Sequence, residues 1–284
     1  MTPRIDTHLS RHRTNEVPLR TALIGYTGFV GSNLLDASPF DDVYNTANIT
    51  AFAGQEYDLV VSAGNRADSH RINNHGADDL AEIDRLVDTI SAARIGRLVL
   101  ISTVCVYPWG GAPDEHTPMT SEGLTPYGAN RLHQERRLSE AFDTLTVRLP
   151  QLYGDRLRKG VVYDLANDYR VEHIDPEMAF QHYDVRRLWG DITTALAAGL
   201  TAVNIATPPL KNVDLAREVF GRDISGQVPP VAPSPFARMY TRNMTTAYAG
   251  LFGGQGRYLH SEGEEIDGLR RFVAPTQNTP TEED

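Results

Sequence analysis

Apolar residues fall along this chain in short unbroken runs that alternate with longer stretches of three- and four-residue spacing. Thr21-Ala22-Leu23-Ile24 ends in Gly25, and Gly28, Phe29, Val30, Gly31, Leu34 and Leu35 continue at helical spacing, which predicts strand, turn and helix. Val43-Tyr44-Asn45 predicts a second strand. Residues 58–64 and 97–102 are continuous apolar runs ending in small polar residues, as expected of strands covered on both faces of a parallel sheet. Between them Leu80, Ile83, Leu86, Val87 and Ile90 predict a crossover helix, and a helix from about Tyr127 to Phe142 leads into the run Leu145–Leu149. Strands alternating with helices predict an α/β fold built on a doubly wound parallel sheet, the Rossmann arrangement.

Beyond residue 155 the pattern weakens into helices at 161–169, 184–200 and 214–220 and a strand at 202–205, which predicts a smaller, partly discontinuous C-terminal substrate lobe. The expected division is a flexible arm over 1–18, a dinucleotide-binding domain over 19–154, a substrate lobe over 155–273 that partly shares the sheet, and a disordered tail over 274–284. Residues 226–236 read as a proline-rich loop.

Composition narrows the function classes. The 284 residues are 40% hydrophobic and 23% charged, and no run approaches the roughly 20 apolar residues of a membrane span, so no membrane partner is expected. The first 18 residues are polar and lack the apolar core of a secretion signal. Cys105 is the single cysteine, which excludes an intrachain disulfide and a cysteine-based metal cluster and makes the cytoplasm the expected location. A net charge of -10 opposes a nucleic acid partner. Nine scattered histidines, His173 and His182 among them, make no metal site. Of the 27 basic residues only Lys159 and Lys211 are lysines.

Gly25-Tyr26-Thr27-Gly28-Phe29-Val30-Gly31 sits where a strand hands over to a helix, the context a dinucleotide fingerprint requires. There the first glycine makes the tight turn, the second lets backbone approach a pyrophosphate, and the third packs helix on strand. The cofactor expected is NAD or NADP. The choice stays open, because the second strand is followed by neither a carboxylate nor an arginine; Asn45 and Asn48 fit ribose contacts and turn positions equally well.

Ser102-Thr103-Val104-Cys105-Val106-Tyr107-Pro108 closes one strand, Pro126-Tyr127-Gly128-Ala129-Asn130-Arg131 opens the next helix, and Arg148-Leu149-Pro150-Gln151-Leu152-Tyr153-Gly154 follows the fourth strand. With the glycine turn, these segments make Thr21 to about Gly154 resemble the extended short-chain dehydrogenase/reductase family, which holds nucleotide-sugar epimerases, dehydratases and reductases. The resemblance implies Tyr127 as general acid/base, Thr103 on the substrate oxygen, and the residue four after Tyr127 on the nicotinamide ribose. It also implies that Ala63, Gly64, Leu149 and Pro150 border the cofactor. That fourth residue is Arg131, where the family usually has lysine. A guanidinium keeps the positive charge that eases ionisation of a phenol but passes protons poorly.

Position 105 discriminates further. Dehydratases of the family carry Asp-Glu after the catalytic threonine, whereas here Val104-Cys105 follows, so sugar dehydration is disfavoured. The cysteine resembles that of the epimerase-reductases that make GDP-fucose, where a thiol serves as acid/base. Counting from Gly154 brings Lys159 to the place of their assisting histidine. Met178–Asp184 matches the family's Arg-x-Phe-x-x-Val-Asp segment without its arginine, which weakens the case for a nucleotide-sugar substrate; Gln181 and His182 are candidate cleft contacts, and Arg156, Arg158 and Lys159 a candidate phosphate site. The expected function is an NAD(P)-dependent oxidoreductase or epimerase acting on a sugar, polyol or sugar-derived carbonyl. Its rivals are a non-redox dinucleotide-binding regulatory protein and a cofactor-retaining isomerase. A small-molecule substrate is the expected partner, and the helices at 80–90 and 127–142 suit a homodimer by analogy.

Overall fold

The computed structural model describes residues 19–230 and 241–274. The expected arm, most of the proline-rich loop and most of the expected tail lie outside the described residues.

The predicted doubly wound sheet is present. Six parallel strands, β1 (Thr21–Ile24), β2 (Asp42–Tyr44), β3 (Glu56–Ser62), β4 (Arg94–Thr103), β5 (Thr144–Leu149) and β8 (Ala202–Asn204), pair in the order β2-β1-β3-β4-β5-β8. Strand alternation sorts the side chains into two cores. Leu23, Val61, Val99, Ile101 and Val147 face helices α1 (Phe29–Ala37) and α6 (Leu188–Ala197), whereas Ala22, Ile24, Val60, Leu98 and Leu100 face α3 (Gly76–Ser91) and α4 (Pro126–Ala141). The last two helices are clasped at their exposed side by Arg137, which reaches Asp84 and Asp88 at 2.9 Å each.

A second sheet, β6 (Gln151–Tyr153), β7 (Ala179–Asp184) and β9 (Pro209–Lys211), carries the rest of the chain with helices α5 (Val161–Ala166), α7 (Asn212–Phe220) and α8 (Glu262–Val273). Its own core is Tyr153, Val162, Leu165, Leu215, Val219 and Leu269. β8, although it lies between α6 and β9 in sequence, belongs to the first sheet through its pairing with β5. The helix predicted over 161–169 stops at Ala166, because Asp168 and Arg170 adopt left-handed backbone conformations, and the one predicted over 184–200 begins with a tighter 3-10 turn at Val185–Arg187.

His182 on β7 is buried, and neither ring nitrogen has a hydrogen-bond partner among the described residues; burial pushes its pKa down to about 4. The unfolded chain binds this proton near pH 6.5 and the folded chain only near 4, so the stability that depends on a neutral ring is complete above that upper value and lost as pH falls through the interval. Glu265, whose carboxyl burial raises, titrates in the opposite sense, so a comparison with His182→Leu isolates the imidazole. Urea unfolding is expected to show wild type losing about 2 kcal/mol more than His182→Leu between pH 7 and pH 5.

Candidate active site

The turn after β1 is shaped by its glycines. Gly25 has a φ of 88° and lies against the Ala63 carbonyl, and a Cβ on Gly31 would collide with the Gly25 carbonyl oxygen, so both positions accept only glycine. Gly28, which precedes the first residue of α1, meets nothing nearer than 3.4 Å on its Cβ side. That open face, beside the N-terminal amides of α1, is where a pyrophosphate fits, so the residues present suit a dinucleotide. Tyr26, Val30 and Ala63 pack on the core that includes Leu149, the last residue of β5; Gly64 lies against Gly25, and Pro150 follows β5 in the lining of the cleft described below. Asn45 and Asn48 are used in the turn after β2: the Asn48 side chain accepts from the Asn45 N–H at 2.7 Å, and Asn45 donates to the Tyr26 hydroxyl at 3.2 Å.

Thr103 ends β4 and its hydroxyl oxygen accepts the Cys105 N–H at 3.2 Å, which leaves the hydroxyl proton available to an oxygen in the cleft. The chain then makes a 3-10 turn, Val104–Val106, against the first turn of α4. Thr125 caps that helix, Pro126 occupies its first turn, and buried Asn73 on helix α2 (Ser69–Asn74) accepts the Tyr127 N–H at 3.0 Å. A Cβ at position 128 would strike the Cys105 carbonyl oxygen. Gly128 thus lets the helix press on the turn and bring Tyr127 beside Thr103 and Cys105. Gly128→Ala is expected to lower stability by about 1–3 kcal/mol through overpacking and to lower kcat far more than it alters cofactor affinity, read by thermal unfolding and steady-state kinetics.

Arg131, expected at the ribose, is paired on another helix. It is 2% exposed, donates to both Asp79 oxygens at 2.9 and 3.2 Å and to the Arg66 carbonyl at 2.7 Å, and does not line the cleft. A guanidinium this buried turns to a counter-ion. Asn130 donates to the same carboxylate at 2.9 Å. The guanidinium carbon still lies 4.7 Å from the centre of the Tyr127 ring, so Arg131 supports the phenol from beneath. Arg148 is likewise paired: it grips Glu135 from Nε and Nη2 and donates from Nη1 to the Tyr107 hydroxyl at 2.8 Å, and that hydroxyl lies 3.0 Å from Asn204 on β8.

These elements enclose a cleft of ≈ 620 Å³, within the usual range for small-molecule sites. It brings together Thr27, Gly28, Phe29, Thr103, Cys105, Tyr127, Pro150, Lys159 and Gln181 from the predicted set. Lys159 donates to the Ala67 carbonyl at 2.7 Å across the cleft mouth, and Arg156 pairs with Asp36 on α1 at 2.6 Å. The Gln181 amide is fully engaged with Thr207 and Met244. His182, on the opposite face of β7, does not line the cleft. Sequence reasoning missed Arg242, which is 3% exposed, lines the cleft, donates to the Tyr107 carbonyl at 2.8 Å and stands 3.9 Å from the Cys105 sulfur. The available signal was the absence of any Asp or Glu between Asp223 and Glu262. A second depression of ≈ 390 Å³, bordered by Leu132, Phe142 and Thr201, includes none of the glycine turn.

A model of the NAD dependent epimerase/dehydratase family matches residues 40–207, more than half of the chain. No curated protein matches. Among solved structures, UDP-glucose 4-epimerase from Thermotoga maritima with UDP-glucose has 14% identity and a TM-score of 0.68 over 91% of this chain and 99% of that one. MoeE5 in complex with UDP-glucuronic acid and NAD has 17% identity and a TM-score of 0.68 over the same shares, 91% and 99%. The dTDP-4-dehydrorhamnose reductase of Bacillus anthracis in complex with NADP has 17% identity and a TM-score of 0.67, again over 91% and 99%. At such identities the likeness is one of fold.

Proposed function

Because the chain belongs to the NAD dependent epimerase/dehydratase family, we propose that it is an NAD(P)-dependent oxidoreductase or epimerase acting on a sugar, polyol or sugar-derived carbonyl, with Tyr127 as general acid/base. The observation that carries this reading is that Thr103, Cys105 and Tyr127 line one cleft together with Thr27 and Gly28 of the glycine turn. A nicotinamide dinucleotide bound along that cleft supplies the hydride acceptor or donor. Gly28 and the amides of α1 receive its phosphates. Thr103 donates its free proton to the substrate oxygen, and the Tyr127 hydroxyl gives or takes the proton that accompanies hydride movement at the neighbouring carbon. Arg131, held by Asp79, fixes the phenol ring. Cys105 offers a thiol to a carbon next to the carbonyl, the step an epimerisation adds.

The test pairs two measurements on the full chain: NADH and NADPH binding by fluorescence, and conversion of a panel of aldoses, ketoses, uronates and UDP-sugars followed by reduced-nicotinamide absorbance and by product analysis. Binding with conversion of a panel member supports the reading, and conversion without net change in reduced cofactor identifies the epimerase form. Cofactor binding with no conversion of any panel member, wild type and Tyr127→Phe being alike, would identify a non-redox binding protein.

A further inference from the structure

Three arginines are buried among the described residues, and they are not treated alike. Arg131 has Asp79 and Arg148 has Glu135, each pair within 2.9 Å. Arg242 forms no ion pair among the described residues, and its Nη2 has no hydrogen-bond partner there. The adjoining residues 231–240 contain no Asp or Glu. A guanidinium withdrawn from water without a counter-ion is strongly unfavourable unless an anion arrives from outside.

The surroundings of Arg242 agree. Two residues on, the backbone of Met244 is held by Gln181, whose side chain makes one hydrogen bond to the carbonyl at 2.7 Å and one from the N–H at 2.9 Å. The Arg242 head group reaches the cleft between Cys105 and the Tyr107 carbonyl. In a chain of net charge -10, the cleft is bordered by Arg158, Lys159, Arg242 and an Arg156 already paired with Asp36, against one carboxylate, Asp68. Asp68 is itself engaged in capping α2.

We infer that Arg242 is the seat for a carboxylate carried by the substrate, so that the molecule turned over beside Tyr127 is a sugar acid or hydroxy acid rather than a neutral sugar. One guanidinium with Nε already committed suits a single carboxylate; a phosphate calls for more donors than this spot supplies. The inference rests on the reading that substrate occupies this cleft, and it identifies the acid group as what orients the substrate there.

The lone cysteine makes the test direct. Cys105 is alkylated by iodoacetate or by iodoacetamide through the same displacement: a sulfur–carbon bond forms, the carbon–iodine bond breaks, iodide leaves and the thiol proton goes to buffer. Any effect of Arg242 on thiol acidity cancels in the ratio of the two rates, and only the anionic reagent offers a carboxylate. On the NAD-loaded full chain, mass spectrometry is expected to show iodoacetate labelling faster than iodoacetamide, with glycolate protecting and ethylene glycol not. The rate ratio should fall at least about tenfold, equivalent to about 1.4 kcal/mol, in Arg242→Gln. Protection by glycolate in wild type decides the matter should that variant fail to fold. A ratio favouring iodoacetamide, equal protection by glycolate and ethylene glycol, or no labelling by either reagent would overturn the assignment. Tyr127→Phe should keep the wild-type ratio, so a failure of the hydride-transfer reading and a failure of the carboxylate seat give different results.

Discussion

Tyr127→Phe is expected to lower kcat by about a hundred- to ten-thousand-fold while NADH affinity changes little, the loss associated with removing a positioned proton donor. The separation follows from geometry. The hydroxyl belongs to a side chain lining the cleft, whereas the cofactor's phosphates would meet backbone at Gly28 and α1. The Tyr127 main chain is fixed independently by Asn73, so phenylalanine keeps the helix start and the ring's packing over Arg131. With Thr103 left in the proposed role of holding the substrate oxygen, KM is expected to move far less than kcat. Fluorescence titration with NADH and single-turnover kinetics measure the two effects separately. A variant with wild-type turnover would remove Tyr127 from the chemistry.

The largest stability effect is expected at a residue outside the cleft. Asp79→Ala would leave Arg131 buried and unpaired and deprive Asn130 of one acceptor, a loss of about 3–5 kcal/mol by analogy with other buried pairs cut on one side. The double variant Asp79→Leu with Arg131→Met removes both charges and should recover most of that loss in urea unfolding. Arg131→Lys is a sharper probe of function. A single ammonium cannot reach both Asp79 oxygens and the Arg66 carbonyl with the same fork, so the chain would gain the family's usual residue while losing part of its clasp.

The central sheet was legible because its strands are covered on both faces and its helices on one, so apolar runs and three- or four-residue spacing both survive in the sequence. β7 was not legible: Ala-Phe-Gln-His-Tyr-Asp is buried almost throughout with no alternation, and its polar residues are satisfied or stranded by neighbours distant in sequence. α2 is six mostly polar residues with no period to detect. α8 was not predicted either: its start is marked by a capping box of Ser261 and Glu264, a signal the hydrophobic pattern does not register. The same divide runs through the site. The glycine turn could be placed because it joins a strand to a helix, and Thr103 and Tyr127 because the segments around them resemble those of a known family. The fate of Arg131 could not, because its counter-ion lies 52 residues upstream on another helix. Arg242 was hidden for the converse reason: what marks it is a partner that is missing among the described residues, and spacing does not encode that.

β8 has a consequence for how this protein is made and inherited. Residues 202–204 complete a sheet that begins at residue 21, and Asn204 reaches the Tyr107 hydroxyl that also receives Arg148. A nascent chain released only as far as Gly154 would have the buried strand β5 as its sheet edge and a charged hub short of one polar neighbour. A gene fusion cut at that point would inherit the same defect. A chain divided at that point leaves in its second half a strand that pairs only with the first half's sheet.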